Sequence, residues 1–115
     1  MMSQPHSAAE LAAMNCRPVS GSGLDDAQIR AQLAALPDWQ HRDGALERSF
    51  GFDDYWETIA FVNALAWVVH RQDHHPDLTV GYNRCTVRWN THSVGGISIS
   101  DFICAAKTDA VFRRD

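Results

Sequence analysis

At 115 residues with 45% hydrophobic side chains, the chain has material for one hydrophobic core and is too short for two ordinary domains. Its formal charge of −4, with Arg71, Arg84 and Arg88 scattered among carboxylates, offers no basic stripe for a phosphate backbone, so nucleic acid is not an expected partner. The longest apolar run, Ile59 to Val69, is broken by Asn63 and too short to cross a bilayer, so no membrane role is expected.

The opening stretch MMSQPHSAAELAAMNC has neither a basic start nor a continuous apolar segment, so no export signal is read there and a cytoplasmic location is expected. Residues 1–22 are rich in Ala, Ser and Pro without a sustained period and read as a loosely held, flexible arm; residues 23–115 read as the folded domain. Asp25 and Asp26 are N-cap residues for a helix that carries Ile29, Leu33 and Leu36 on one face and ends at Pro37. From Trp39 the period changes to two. Trp39 to Arg42 is extended, Asp43-Gly44 is a hairpin dipeptide, and Leu46, Arg48, Phe50 and Phe52 alternate with polar or small residues, giving a hairpin whose inner face is apolar apart from Arg48.

Asp53 or Asp54 then caps a long helix. Its apolar positions, including Trp56, Ile59, Val62, Trp67 and Val69, wrap further round than one buried face needs, so the second face is either deeply buried or meets another subunit. Leu78, Val80 and Tyr82 alternate, Asn83 marks a turn, and Cys85, Val87 and Trp89 alternate again as a second hairpin. Gly95-Gly96 break the chain, Ser98 or Ser100 caps, and Ile99, Phe102, Ile103, Ala106 and Ala110 mark a last amphipathic helix. Two hairpins separated by a helix predict an α+β two-layer sandwich: a four-stranded antiparallel sheet with helices packed on one face, a ββαββα core plus an N-terminal helix. The sheet edges need cover, which pairing in a dimer would supply. Cys16, Cys85 and Cys104 are odd in number and lack CxxC spacing, so they read as reduced thiols.

Three of the six histidines fall in HRQDHHP, at His70, His74 and His75. Pro76 pushes His75 out of the helical region, whereas His70 and His74 share a face if the last helical turn persists. One use is structural, since an imidazolium near a helix C-terminus gains about 0.3–1 kcal/mol from the dipole. A second is metal binding, but the His-Glu-x-x-His pattern requires Glu where Arg71 stands, and a cation beside a metal ion is repulsive. The third is general acid–base chemistry, because imidazoles titrate near neutral pH and can both give and take a proton. His92, after the last strand, is the natural partner from the second hairpin. Asp101, at the start of the last helix, either orients an imidazole or serves the helix start. Trp67 and Trp89 could stack on a flat heterocycle, although tryptophan at helical or alternating spacing more often belongs to a core.

His70, His74-His75-Pro76, Tyr82, His92 and Asp101 stand at spacings that resemble the signature of the pterin-4a-carbinolamine dehydratase family. The resemblance extends through LPDW from Leu36, RSFGFDDYWE from Arg48 and THSVGGISISDFICAAKTD from Thr91. His70 stands where many members carry glutamate. The resemblance implies elimination of water from 4a-hydroxytetrahydropterin to give quinonoid dihydropterin, in tetrahydrobiopterin recycling, with a small-molecule pterin as substrate and with neither cofactor nor metal. It further implies His74 and His92 as the acid–base pair, with His75 holding the pterin and sharing in proton transfer. Asp73, Thr91 and Ser93 would hydrogen-bond the pterin, and Asp101 would support them. Assembly as a homodimer or homotetramer is implied as well. Some members of the family also act as dimerisation cofactors for a homeodomain transcription factor, so the alternative is a non-enzymatic assembly role in which a helical face binds a protein partner.

Overall fold

A left-handed turn at Asp43-Gly44, with φ of 49° and 78°, joins strands β1 (Gln40–Arg42) and β2 (Ala45–Gly51). Two successive positive φ values match the twist of a tight hairpin, and the Asp-Gly pair tolerates them. The computed structural model describes residues 5–113. Its remaining elements are α1 (Ala8–Ala13), α2 (Asp26–Leu33), α3 (Tyr55–Gln72), β3 (Asp77–Val80), β4 (Arg84–Trp89), a 3-10 turn over His92–Val94 and α4 (Ile99–Phe112).

The strands form one antiparallel sheet in the order β1-β2-β4-β3, so β1 and β3 are its edges. Register fixes which face is buried. Leu46, Arg48 and Phe50 lie opposite Trp89, Val87 and Cys85, and all of these except Arg48 are closed to solvent. On the other face Glu47 pairs with Arg88, and the hydroxyls of Ser49 and Thr86 hydrogen-bond at 2.7 Å. That alternation leaves one face for helices and the other for water. The domain is therefore the α+β, two-layer arrangement that the sequence predicts.

Arg48, the one charge on the inner face, is neutralised in place. Its guanidinium donates to Asp109 Oδ1 at 2.6 Å and lies 4.3 Å from the centre of the Phe50 ring. The Trp39 indole N–H donates to the same carboxylate oxygen at 2.9 Å, so the start of the hairpin is tied to α4. Burial pushes the Asp109 carboxyl up, while Trp39 and Arg48 oppose that shift.

Helix ends follow their capping residues. Asp25, Asp54 and Ser98 accept from backbone N–H groups at the starts of α2, α3 and α4. α2 is shorter than its apolar spacing predicts. It ends at Leu33, and Leu36 reaches the core from a following turn in which its N–H donates to the Leu33 carbonyl.

Within the segment read as a loose arm, residues 1–4 lie outside the described residues, but residues 8–13 form a helix. Ser7 and Glu10 close a capping box, Leu11 is fully buried, and Lys107 Nζ of α4 donates to the Ala12 carbonyl at 2.8 Å. Six residues are too few to show a helical period, which is why composition alone read this stretch as slack.

Candidate active site

α3 stops at Gln72 because Asp73 takes a left-handed conformation, with φ 50° and ψ 44°. The last helical turn therefore does not persist through His74, and the four-residue spacing from His70 no longer places both imidazoles on one face. His70 lines an apolar hollow of about 470 Å³ between α3 and β3, together with Val62, Ala66, Val69, His75 and Leu78. His74 turns the other way. It lines a cleft of about 430 Å³ with Asp73, Thr91, Ser93, Arg71 and Cys16. Asp73 borders both hollows.

His74 is held from two sides. Its ring stacks on the indole of Trp89, with centroids 5.5 Å apart and planes 11° from parallel. Its Nε2 lies 2.7 Å from Asp101 Oδ1, and since a carboxylate only accepts, Nε2 carries the hydrogen. That bond leaves Nδ1 for a second proton-transfer partner. The hydrogen bond to Asp101 raises the imidazole pKa above its ordinary value, against burial, with smaller help from the charges of Asp101, Cys16 and Asp73.

Asp101 is itself fully buried. Its Oδ2 accepts from Thr91 Oγ1 at 2.7 Å and from the Ser98 backbone N–H at 2.9 Å. Thr91 donates to the carboxylate, so Ser98 Oγ donates in turn to Thr91 Oγ1 at 2.8 Å and accepts the Ser100 N–H. The two sequence readings of Asp101 are thus both realised. It closes the capping box of α4 with one oxygen and fixes an imidazole with the other.

Of the seven residues singled out in the sequence, Asp73, His74, Thr91 and Ser93 share the cleft, and Asp101 backs it. His75 opens instead onto the apolar hollow. His92 begins the 3-10 turn, exposed, between Thr91 and Ser93. Trp89 is a core residue whose face meets His74, whereas Trp67 is 69% exposed on α3. Among the described residues, no group of three or more His, Cys, Asp and Glu side chains is placed to hold a metal ion.

One wall of the cleft was not legible beforehand. Cys16, Arg17, Pro18 and Val19 line it, anchored by the Cys16 N–H to Gln72 Oε1 at 2.7 Å and by Ser93 Oγ to the Val19 carbonyl at 2.8 Å. These residues have no period of their own, and their partners lie more than fifty positions away, so the sequence carried no signal for them.

A family model described as pterin 4 alpha carbinolamine dehydratase matches residues 22–111. The chain belongs to that family. Curated relatives of this pterin carbinolamine dehydratase family member include a protein of Stenotrophomonas maltophilia, 53% identical over 88% of this chain and 90% of its own. Another, from Chromobacterium violaceum, is 49% identical over 88% and 94%. Both carry the name pterin-4-alpha-carbinolamine dehydratase as a provisional assignment. Among solved structures, one from Brucella melitensis, described as a transcriptional coactivator/pterin dehydratase, superposes with a TM-score of 0.75 at 34% identity. It covers 78% of this chain and 98% of its own. The family match spans all seven site residues, and Cys16 to Val19 lie before its start.

Proposed function

We propose that the cleft beside His74 dehydrates 4a-hydroxytetrahydropterin to quinonoid dihydropterin, as a 4a-hydroxytetrahydrobiopterin dehydratase in cytoplasmic pterin recycling. The observation that carries this reading is the buried Asp101 carboxylate holding His74 at 2.7 Å on the wall of an open cleft, in a chain whose family is described by that reaction. The elimination needs one proton delivered to the 4a-hydroxyl and one withdrawn from a ring nitrogen, whose electron pair expels water. No electrons leave the substrate. The hydrogen bond to Asp101 favours the protonated form of His74, and the N–H not held by Asp101 delivers its proton to the departing hydroxyl. His92, exposed between Thr91 and Ser93, takes the ring proton. His75 lines the neighbouring hollow and holds the pterin, sharing in the transfer, where the heterocycle reaches past Asp73, which borders both hollows. Asp73, Thr91 and Ser93 hydrogen-bond the heterocycle, with Asp101 as the positioning residue behind them. Such carbinolamines lose water unaided, so positioned acid–base groups worth about 10²–10⁴-fold suffice.

Stopped-flow absorbance of chemically generated 4a-hydroxytetrahydropterin tests this. Acceleration by the protein, unchanged by a chelator and reduced about 10²–10⁴-fold in the His74→Ala, His92→Ala double variant, is the expected result. No acceleration by the wild-type chain overturns it.

A second reading has an observation of its own: Trp56 and Trp67 stand 79% and 69% exposed on α3, as a surface for a protein partner would. It is favoured if the double variant keeps the biological activity in cells while losing dehydration. The same exposed face supports self-association as a homodimer or homotetramer.

A further inference from the structure

The wall of the cleft contributed by the N-terminal segment carries one sulfur, that of Cys16, which lies against a second on α4, and the dehydration uses neither. Cys16 Sγ lies 3.5 Å from Cys104 Sγ, the two residues being separated by 88 positions. Cys104 is fully buried on α4, whereas Cys16 is half-buried and lines the open cleft. A small molecule entering the cleft therefore meets the sulfur of Cys16 and not that of Cys104. We infer that Cys16 and Cys104 form a reversible redox couple, in which a hydroperoxide oxidises Cys16 and Cys104 resolves it into an intramolecular disulfide along the wall of the cleft.

The approach of the two sulfurs is built by the surrounding structure. The Cys16 N–H donates to Gln72 Oε1, and Gln72 Nε2 donates to Asn15 Oδ1 at 3.0 Å, fixing the segment to the end of α3. Lys107 Nζ binds the Ala12 carbonyl, and Ser93 binds the Val19 carbonyl, so the chain is held on both sides of Cys16. As a thiol, Cys16 donates to the Ser100 carbonyl at 3.6 Å; as a thiolate, it accepts from Cys104. That hydrogen bond, then one with Ser100 and the positive charges of His74 and Lys107, brings the Cys16 thiol down to about 7 against the opposing effect of burial, and the contact with Cys16 raises that of Cys104. Low-pKa accessible thiols beside a second cysteine are the ones that peroxides oxidise reversibly.

The chemistry balances. The Cys16 thiolate attacks one peroxide oxygen, the O–O bond breaks, and hydroxide leaves to become water, giving Cys16 sulfenic acid. The Cys104 sulfur then attacks the Cys16 sulfur. The S–S bond forms at about 2.05 Å, the S–O bond breaks, and the hydroxide leaves as water with the proton of Cys104. Two thiols are oxidised while one hydrogen peroxide becomes two waters, and a dithiol reductant reverses the bridge. The couple does not depend on which reaction the cleft performs. Cys85, fully buried in β4 with its thiol pushed up by burial, is an internal control.

Exposure of the reduced full chain to one equivalent of hydrogen peroxide tests the couple. The expected result is an intact mass lower by two hydrogens, one linked peptide pair containing Cys16 and Cys104 in a non-reducing digest, and full reversal by dithiothreitol. In Cys104→Ser the Cys16 sulfenic acid accumulates and is trapped by dimedone. A wild-type chain that keeps both thiols, or that oxidises Cys85 as fast as Cys16, overturns the inference. Should Cys104→Ser fail to fold, competitive iodoacetamide labelling of the wild type decides. Cys16 labels at least about 10-fold faster than Cys85 at neutral pH if it is the accessible thiolate, and equal rates overturn it.

Discussion

Asp101 serves two elements with one carboxylate: one oxygen closes the start of α4, and the other holds the imidazole of His74. Replacement by Asn keeps the shape but loses the carboxylate whose hydrogen bond, and to a smaller extent whose charge, raises the His74 pKa. In Asp101→Asn the His74 titration, followed by NMR of the imidazole, moves to lower pH, and stability falls by about 1–3 kcal/mol from the weakened buried bonds. The linkage has a definite sign. A pKa raised on folding stabilises fully below the unfolded imidazole value, near 6.5, and that contribution fades as pH rises through the raised folded value. Denaturant melts of wild type and Asp101→Asn therefore differ most on the acid side, and the gap narrows above it. If His74 donates the proton, the alkaline limb of the rate profile also shifts to lower pH in the variant; an unmoved limb assigns the acid to another histidine. The motif made Asp101 visible in the sequence. It made His74 visible too, but not which imidazole Asp101 would hold, because a left-handed Asp73 re-aims His74 by an amount that no spacing records.

Among the elements, the end of α3 and the short α1 carry the clearest consequences. A left-handed, non-glycine residue is strained, and Asp73 occupies that conformation at the border of the cleft. Asp73→Gly relieves the strain and loses the carboxylate, so the expected outcome is a melting temperature equal or higher, by up to about 1 kcal/mol of stability, with a raised KM for the pterin. A lowered melting temperature with unchanged KM would assign Asp73 to the fold alone. The strands and long helices were legible in the sequence because period and turn chemistry agree there: Asp43-Gly44 turns, Asp54 caps, and Cys85, Val87 and Trp89 alternate into the core. α1 was not, since a single buried leucine makes no pattern. Leu11→Ala removes that anchor, and a loss of about 2–5 kcal/mol in a denaturant melt is expected. A variant as stable as the wild type would show that the segment packs without holding.

For the molecule as a whole, the outer surface is less finished than the core. β3 is an edge strand with Leu78 and Val80 partly exposed and Tyr82 67% exposed just beyond it. Apart from Asp77 at its start, this edge is uncharged and invites pairing with a second copy, and antiparallel pairing about a two-fold axis would join two sheets into one. Trp56 and Trp67 form a separate surface. They stand eleven residues, about three helical turns, apart on α3, on the stripe opposite Thr58, Phe61 and Leu65, which face the core. Two distinct self-complementary surfaces generate a tetramer with two kinds of two-fold axis, whereas either alone generates a dimer. Light scattering after size exclusion separates these cases. If both surfaces are used, the wild type is a tetramer, Val80→Lys and Trp67→Glu each give dimers, and the double variant is a monomer with the circular dichroism of the folded chain. If one surface is used, the wild type is a dimer and only one of the substitutions changes its mass. A wild-type monomer at high protein concentration removes self-association, leaving the exposed tryptophans to a different partner.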